Sequence, residues 1–322
     1  MHSPHIGRVR RSLAAALAAG ALLLVSACAG DDLAEEGDDT DATTQGAGSG
    51  PVRISGQNFP EAELVAGMYS LLLEDAGYEP EVSLVDTRDV YMATFPGDVD
   101  VVPEYVGGIV DFLNTTVNGP DAEPLTTSDA TESIENAESL LADQGITLLT
   151  PSEATDTNAF FVTQEYAESE GVSTLSDMEG KSVVLAAAPD CEGRPDCEGG
   201  LTEVYGIDIT EVLPLGFASN DTYQAVIDGE AQMGLTSTTD GTLESQGLVL
   251  LEDDQQIQPA QNLVPAVSTE FLEEHPDVEE PLNALMAALT TENLTELNGR
   301  VAVDREQPED VARDFLESEG LL

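Results

Sequence analysis

Basic side chains are scarce in this sequence. Its 322 residues include ten lysines and arginines against sixty-three aspartates and glutamates, which gives a formal charge of −53. Lys181 is the single lysine. A field this negative argues against nucleic acid or an anionic membrane face as a partner. Dense carboxylates with so few cations are typical of proteins from salty surroundings, where screening weakens the self-repulsion.

Histidine is almost as rare, which limits the chemistry available. Beyond the N-terminal segment the chain keeps only His275, in the polar stretch EEHPDVEE, where we expect a solvated side chain. No nucleophile has a histidine partner, no cluster of metal ligands occurs, and neither a P-loop nor a GxGxxG motif is present. The sequence therefore argues against an enzyme, and we expect no cofactor and no metal.

Long apolar runs are also missing, apart from one near the N-terminus. Arg8, Arg10 and Arg11 precede the apolar stretch 13–25, which has the layout of a signal peptide and ends in LVSAC, a sequence that resembles a bacterial lipobox. We expect residues 1–28 to be a lipoprotein signal peptide with Cys28 lipidated, and acidic residues 29–50 to be a flexible tether. This predicts a protein on the outer face of the cell membrane, held there by lipid alone. A free Cys28 behind an uncleaved anchor is the alternative.

The other two cysteines lie close together in the loop CEGRPDCEGG. An oxidising exterior and the short spacing favour a disulfide between Cys191 and Cys197. Metal binding is the alternative, but two thiols with no histidine nearby make a poor zinc site.

The stretch 98–114, DVDVVPEYVGGIVDFLN, reads as a buried strand that runs directly into a helix. Val101 and Val102 favour the strand, and Pro103 suits a first helical turn. Tyr105 would then lie at the carboxyl end of a strand, where ligands bind in open α/β sheets.

Strand and helix patterns alternate along the rest of the chain, which predicts an α/β protein with mainly parallel, doubly wound sheets. A second series of alternating strands and helices begins in the middle of the chain, so we expect two lobes. We place the first part of lobe 1 at residues 51–157, lobe 2 at 158–257, and a return to lobe 1 with C-terminal helices at 258–322. Two chain crossings between lobes make a hinge that can close on a ligand.

Several motifs resemble the substrate-binding proteins of ABC importers for glycine betaine, carnitine, choline and related osmoprotectants. The similarity covers nearly all of the chain after residue 51. Its markers are the opening strand with Ser55, Gly56 and Phe59, LLLEDAGY ending at Tyr78, DVVPEYVG at 100–107, VYG at 204–206, TDG at 239–241, LEDD at 251–254, and Leu297 with Asn298.

This resemblance implies a type II periplasmic-binding-protein fold with two lobes and a hinge of two chain crossings. It also implies the function: capture of a small zwitterionic or quaternary ammonium solute by lobe closure, and delivery to an ABC permease powered by a cytoplasmic ATPase. We expect the protein to act as a monomer.

The resemblance also implies a ligand site, which this chain matches only in part. Tyr105 corresponds to one tyrosine of the family's aromatic cage, but the other cage positions fall on Asn158, Ser237 and Gln261. Arg194 corresponds to an arginine that grips the ligand carboxylate, although it could instead neutralise nearby acids such as Asp190 or Asp196. Three further positions of the predicted ligand site are Asp156, Gln57 and Gly108.

The missing rings leave the ligand open. Phe160, Phe161, Tyr205 or Tyr223 could build a different cage for a methylated ammonium group. Alternatively, Asn158, Ser237 and Gln261 hydrogen-bond another polar zwitterion, taken up or sensed. A sensing module with the same fold and no permease is a further alternative, because fold does not fix function.

Overall fold

The structure, a computed structural model, describes residues 50–322. The expected signal segment, Cys28 and nearly all of the expected tether lie outside the described residues. Ten strands form two separate five-stranded sheets, each with helices packed on it. Among the helices of residues 50–322, none combines the length and hydropathy needed to cross a membrane.

The strands of the described chain are β1 (Pro51–Gln57), β2 (Glu79–Val85), β3 (Val101–Tyr105), β4 (Ile146–Leu148), β5 (Asn158–Thr163), β6 (Ser182–Ala187), β7 (Asp208–Pro214), β8 (Met233–Ser237), β9 (Leu248–Leu251) and β10 (Leu263–Ser268). The helices are α1 (Pro60–Asp75), α2 (Arg88–Met92), α3 (Val106–Asn118), α4 (Ala130–Asp143), α5 (Gln164–Glu170), α6 (Glu198–Glu203), α7 (Asn220–Ile227), α8 (Thr269–Glu274), α9 (Glu279–Ala288), α10 (Thr291–Ala302) and α11 (Pro308–Glu319).

Two lobes follow from the two sheets. The first lobe contains the sheet β2-β1-β3-β10-β4, and the second lobe contains the sheet β7-β6-β8-β5-β9. The chain enters the second sheet at β5 and returns to the first at β10, which gives the two predicted crossings. The expected α/β fold with two lobes is therefore confirmed, while the exact lobe boundaries stay predictions.

Both sheets are mainly parallel, as predicted, but each contains one antiparallel strand, so they are mixed. β1 runs parallel to β2 and β3, but β10 is antiparallel to both β3 and β4. The second sheet repeats this pattern, with β5 antiparallel to β8 and β9. In each sheet the antiparallel strand is the one that begins directly after a crossing. Its direction depends on where the chain comes from, which local patterns do not encode.

The central strand β3 is buried along its whole length and feeds directly into α3, as expected. Pro103, however, belongs to the strand and lies opposite Pro265 of β10. This is possible because β3 pairs with β1 only at Val101, so no ladder hydrogen bond to β1 is lost at the proline. Tyr105 ends the strand and Val106 begins the helix.

Alternate residues of the central strands face opposite layers of the first lobe. Val101 and Val267 join the core formed with α1, α9, α10 and α11, whereas Val102 and Ala266 join the core formed with α3 and α4. The second lobe is built in the same way, since Phe160 and Phe161 enter different cores. Helices therefore cover both faces of each sheet.

The crossing segments lie side by side between the lobes. Thr155 and Asn262 form an antiparallel bridge, and the Asp156 backbone nitrogen donates to the Gln261 carbonyl at 3.1 Å. α10 adds a third connection, because Thr295 Oγ1 donates to the Thr238 carbonyl of the second lobe at 3.3 Å. The backbone at the junction of the lobes is thus held by both crossings and one helix.

One histidine prediction is corrected by the fold. His275 is partly buried, and its ring packs on the edge of Tyr78 with centroids 5.6 Å apart. The polar neighbours in the sequence concealed this contact, since Tyr78 lies almost two hundred residues earlier.

Candidate functional site

A cavity of about 540 Å³ opens where the two lobes meet. Both lobes contribute to its wall. The lining residues are Phe59, Pro60, Glu61, Asp156, Phe217, Ala218, Tyr223, Thr236, Ser237, Thr239, Asp240, Gly241, Thr242, Asn298 and Ala302. A larger groove of about 990 Å³ runs beside α10, but its wall contains no aromatic ring. The smaller cavity is the better ligand site, because it combines rings with carboxylates at the carboxyl ends of strands.

The first lobe contributes an aromatic and an acidic group from the start of α1. The Phe59 ring lies in the cavity wall and stacks on Tyr105, with centroids 6.4 Å apart. Glu61 is buried and accepts one hydrogen bond from the Tyr105 hydroxyl and one from Asn298 Nδ2 at 2.6 Å. Burial, followed by repulsion from Glu61 and Asp156, raises the pKa of the Tyr105 hydroxyl well above its ordinary value. Tyr105 therefore stays protonated, donates its hydroxyl hydrogen to Glu61 and packs against Phe59, without lining the cavity itself.

Asp156 enters the wall from the first crossing segment. It accepts a hydrogen bond from Thr239 Oγ1 at 3.0 Å. Burial and repulsion from Glu61 raise the pKa of Asp156 to about 7, although the nearby hydroxyl groups of Ser237 and Thr239 oppose the shift. Two carboxyl groups from different elements thus face the same small space, where an opposite charge would stabilise both.

The second lobe contributes two rings, Phe217 and Tyr223. Phe217 lies in the loop between β7 and α7, with 47% of its surface exposed in a position open to a ligand. Tyr223 is buried against Phe161 and donates its hydroxyl to Asp240 at 2.6 Å. Of the four rings considered for a different cage, only Tyr223 lines the cavity. The other three are core residues.

The predicted cage positions separate in the structure. Ser237 lines the cavity, opposite Asn158 in the β5–β8 pair. Asn158 Nδ2 instead donates to Asp196 Oδ2 at 2.9 Å. Gln261 Oε1 accepts from the backbone nitrogen of Gly108 at 3.0 Å. Neither Asn158 nor Gln261 belongs to the cavity wall.

Arg194 also lies outside the cavity wall. Its guanidinium donates to Asp196 through Nε at 3.0 Å and to Asp190 through Nη1 at 3.1 Å. A disulfide between Cys191 and Cys197 closes this loop, and both cysteines are fully buried. The expectation that Arg194 clamps a ligand carboxylate stays a prediction, and these two ion pairs favour its alternative role, the neutralisation of nearby acids.

Gly108 belongs to a network at the start of α3. A Cβ at Gly108 would lie 2.4 Å from Arg88 Nη2, so a larger residue there would require the guanidinium to shift. Arg88 forms a bidentate pair with the buried Glu104, at 2.9 and 3.0 Å. Gln57 ends β1 opposite Val85 and lies outside the cavity wall.

The structure therefore brings Asp156 and Ser237 into the wall and Tyr105 directly behind it. Most of the other lining residues were not placed in the site by the sequence reasoning, among them Phe59, Glu61, Phe217, Asp240 and Asn298. Phe217 follows the carboxyl end of β7, and that position was an available signal. Glu61 and Asn298 meet from opposite ends of the chain, which no local pattern predicts.

Comparison with known proteins agrees with this architecture. A family model described as the substrate binding domain of ABC-type glycine betaine transport systems matches residues 50–318. A glycine-betaine-binding protein of Pseudomonas aeruginosa is 29% identical over 283 residues, 84% of this chain and 88% of that protein. The glycine betaine-binding protein YehZ of Escherichia coli is 28% identical over 284 residues, 84% of this chain and 91% of that protein. A crystal structure described as a glycine betaine/carnitine/choline ABC transporter superposes with a TM-score of 0.72 at 22% identity, over 84% of this chain and 99% of that chain, and shows the same fold.

Proposed function

Because the chain belongs to the substrate-binding domains of ABC-type glycine betaine transport systems, we propose that its interlobe cavity captures a small osmoprotectant such as glycine betaine or choline. Lobe closure then encloses the solute and delivers it to an ABC permease. The observation that carries this proposal is a cavity whose wall combines rings and carboxylates from both lobes. A solute that contacts both lobes stabilises the closed arrangement, because it binds that arrangement better than the open one.

The rings suit a methylated ammonium group. Such a group has no hydrogen to donate, so aromatic faces hold it better than hydrogen-bond acceptors do. Phe59 comes from the first lobe, and Phe217 and Tyr223 come from the second. Each ring within reach of the cation contributes roughly 0.5–2 kcal/mol. These three rings replace the cage positions occupied by Asn158, Ser237 and Gln261.

The hinge lies in the two crossing segments, and we assign lobe 1 to residues 51–157 and 258–322 and lobe 2 to residues 158–257. Asn298 of α10 supports this assignment, since its Nδ2 donates both to Glu61 and, at 3.0 Å, to the carbonyl of Thr239 in the second lobe. Movement of one lobe relative to the other therefore changes the hydrogen bonds of Asn298 in the cavity wall. The contacts available to the ligand thus depend on the position of the lobes.

We further propose that the protein works as a monomer outside the cytoplasm, tethered to the cell membrane by a lipid on Cys28. The support is the signal-like order of residues 1–28. Substitution Cys28→Ser should release the protein from the membrane fraction, and an unchanged distribution would contradict the anchor. Its role is solute binding rather than catalysis, consistent with a family of transport proteins.

Binding can be tested on residues 45–322, which form one compact unit containing both sheets and the cavity. Calorimetry in high salt against glycine betaine, choline and carnitine should show binding of at least one of them. 3,3-Dimethylbutanol, an uncharged analogue of choline with the same shape, serves as the control and should bind far more weakly. Absence of binding by every methylated ammonium compound would contradict the proposed function.

A further inference from the structure

The cavity wall contains three acidic residues. Glu61, Asp156 and Asp240 line it, and none of the fifteen described lining residues is a lysine or an arginine. Arg194 does not compensate, because its ion pairs with Asp190 and Asp196 lie outside the wall. A ligand carboxylate entering this space would meet negative charge with no lining cation to pair with.

The side-chain donors of the wall are already in use. Asp240 accepts hydrogen bonds from the hydroxyl groups of Tyr223, Thr236 and Thr242, at 2.6, 2.6 and 2.7 Å. Asp156 accepts one from the hydroxyl group of Thr239, at 3.0 Å. The hydroxyl of Ser237 lies 3.4 Å from that of Thr239. A carboxylate is stabilised by convergent donors, and the side-chain donors here already hydrogen-bond to the protein's own carboxylates.

The amide of Asn298 offers a ligand carboxylate no free donor either. Asn298 Oδ1 is buried, and no described residue donates to it. Rotation of the amide would place this oxygen against Glu61 Oε2 and the Thr239 carbonyl, both of which are acceptors, so the orientation is fixed by its neighbours. Asn298 Nδ2 is already used by Glu61 and the Thr239 carbonyl, so this amide adds no free donor for a ligand carboxylate.

We infer that the cavity accepts a quaternary ammonium alcohol in preference to the corresponding carboxylated zwitterion, and that Asp156 is the residue that sets this preference. The inference rests on the proposed function and narrows its substrate class. Phe59, Phe217 and Tyr223 accept the ammonium group of either ligand. Asp156 separates the two ligands, because it attracts a net cation and repels a second carboxylate.

Choline and glycine betaine form a matched pair for the test, since they share a trimethylammonium group and differ in the hydroxymethyl or carboxylate end. Calorimetry on residues 45–322 at pH 8 should show choline binding at least tenfold more tightly. Asp156→Asn keeps an oxygen that can accept from Thr239 but removes the charge. This variant should lower the affinity for choline by about tenfold and leave the affinity for glycine betaine unchanged or higher.

Asp121→Asn is the matched control, because Asp121 is exposed in the turn after α3 and outside the cavity wall. It removes the same charge and should leave both affinities within twofold. Equal or tighter binding of glycine betaine by the unchanged protein would overturn the inference while leaving the proposed function intact. If no methylated ammonium compound binds, both are overturned. The comparison in the unchanged protein remains decisive even if Asp156→Asn fails to fold.

Discussion

Choline affinity should rise with pH between 6 and 8, because the ionised form of Asp156 attracts the cation. Burial and the neighbouring Glu61 raise the pKa of Asp156 to about 7 in the unliganded protein. A bound cation favours the carboxylate, so the pKa of Asp156 should fall on binding and a proton should be released. The sign is therefore fixed: affinity is lower at pH 6, where Asp156 is mostly protonated, and higher at pH 8.

The size of the effect follows from the ionised fraction. A carboxyl group with a pKa of about 7 is ionised in roughly one molecule in ten at pH 6 and in about nine in ten at pH 8. If only the ionised form binds well, the apparent affinity for choline rises by about tenfold over these two units. Calorimetry at pH 6, 7 and 8, repeated in buffers of different ionisation enthalpy, measures both the affinity and the released proton.

Three other ionisable groups face Asp156: Glu61 from α1, Tyr105 from the end of β3, and Asp240 after β8. Tyr105 stays protonated throughout this range, because burial raises its pKa well above the ordinary value. Asp156→Asn should flatten the pH profile and abolish proton release near pH 7. A flat profile in the unchanged protein, or an equally steep one in Asp156→Asn, would refute the reasoning.

Three further predictions concern the ring of Phe217, the contact of Gly241 with α10, and Arg194. Phe217→Ala removes a half-exposed ring from the wall and should weaken choline by about 0.5–2 kcal/mol in a calorimetric titration, whereas Phe112→Ala on α3 should not; equal affinities would remove Phe217 from the site. Gly241→Ala places a Cβ 2.3 Å from backbone of α10 and should lower the free energy of unfolding in urea by about 1–3 kcal/mol. Gly67→Ala is the control: it lies inside α1 with 3.8 Å of clearance and should raise the free energy of unfolding by about 0.5–1 kcal/mol. An unchanged stability of Gly241→Ala would show that α10 is not tightly packed against Gly241. Arg194→Ala should leave choline affinity within about threefold, because its partners are Asp190 and Asp196; a loss of about 2–5 kcal/mol, the cost of breaking a buried charge pair, would restore Arg194 as a ligand group.

Much of the fold was predictable, because it is written in local patterns. The buried valines of β3 and the repeated alternation of strand and helix predicted elements that the structure contains. The one antiparallel strand in each sheet was not predicted. β5 and β10 look like other buried strands, but each enters its sheet from a crossing, so tertiary connection rather than sequence pattern sets their direction.

The site was predictable at two strand ends and at Asp156 in the first crossing segment. Tyr105 and Ser237 end β3 and β8, and both lie at the cavity or directly behind it. Glu61 and Asn298 were missed, although they share a hydrogen bond, because more than two hundred residues separate them. Arg194 could not be assigned from its charge alone, since its own loop supplies two carboxylates that occupy it.

A crystal structure of residues 45–322 grown with choline would test the central claim most directly. The account predicts choline between the lobes, with its trimethylammonium group against the rings of Phe59, Phe217 and Tyr223 and beside the carboxylate of Asp156. Choline bound elsewhere, for example beside Arg194 and Asn158, would contradict the assignment of this cavity as the ligand site.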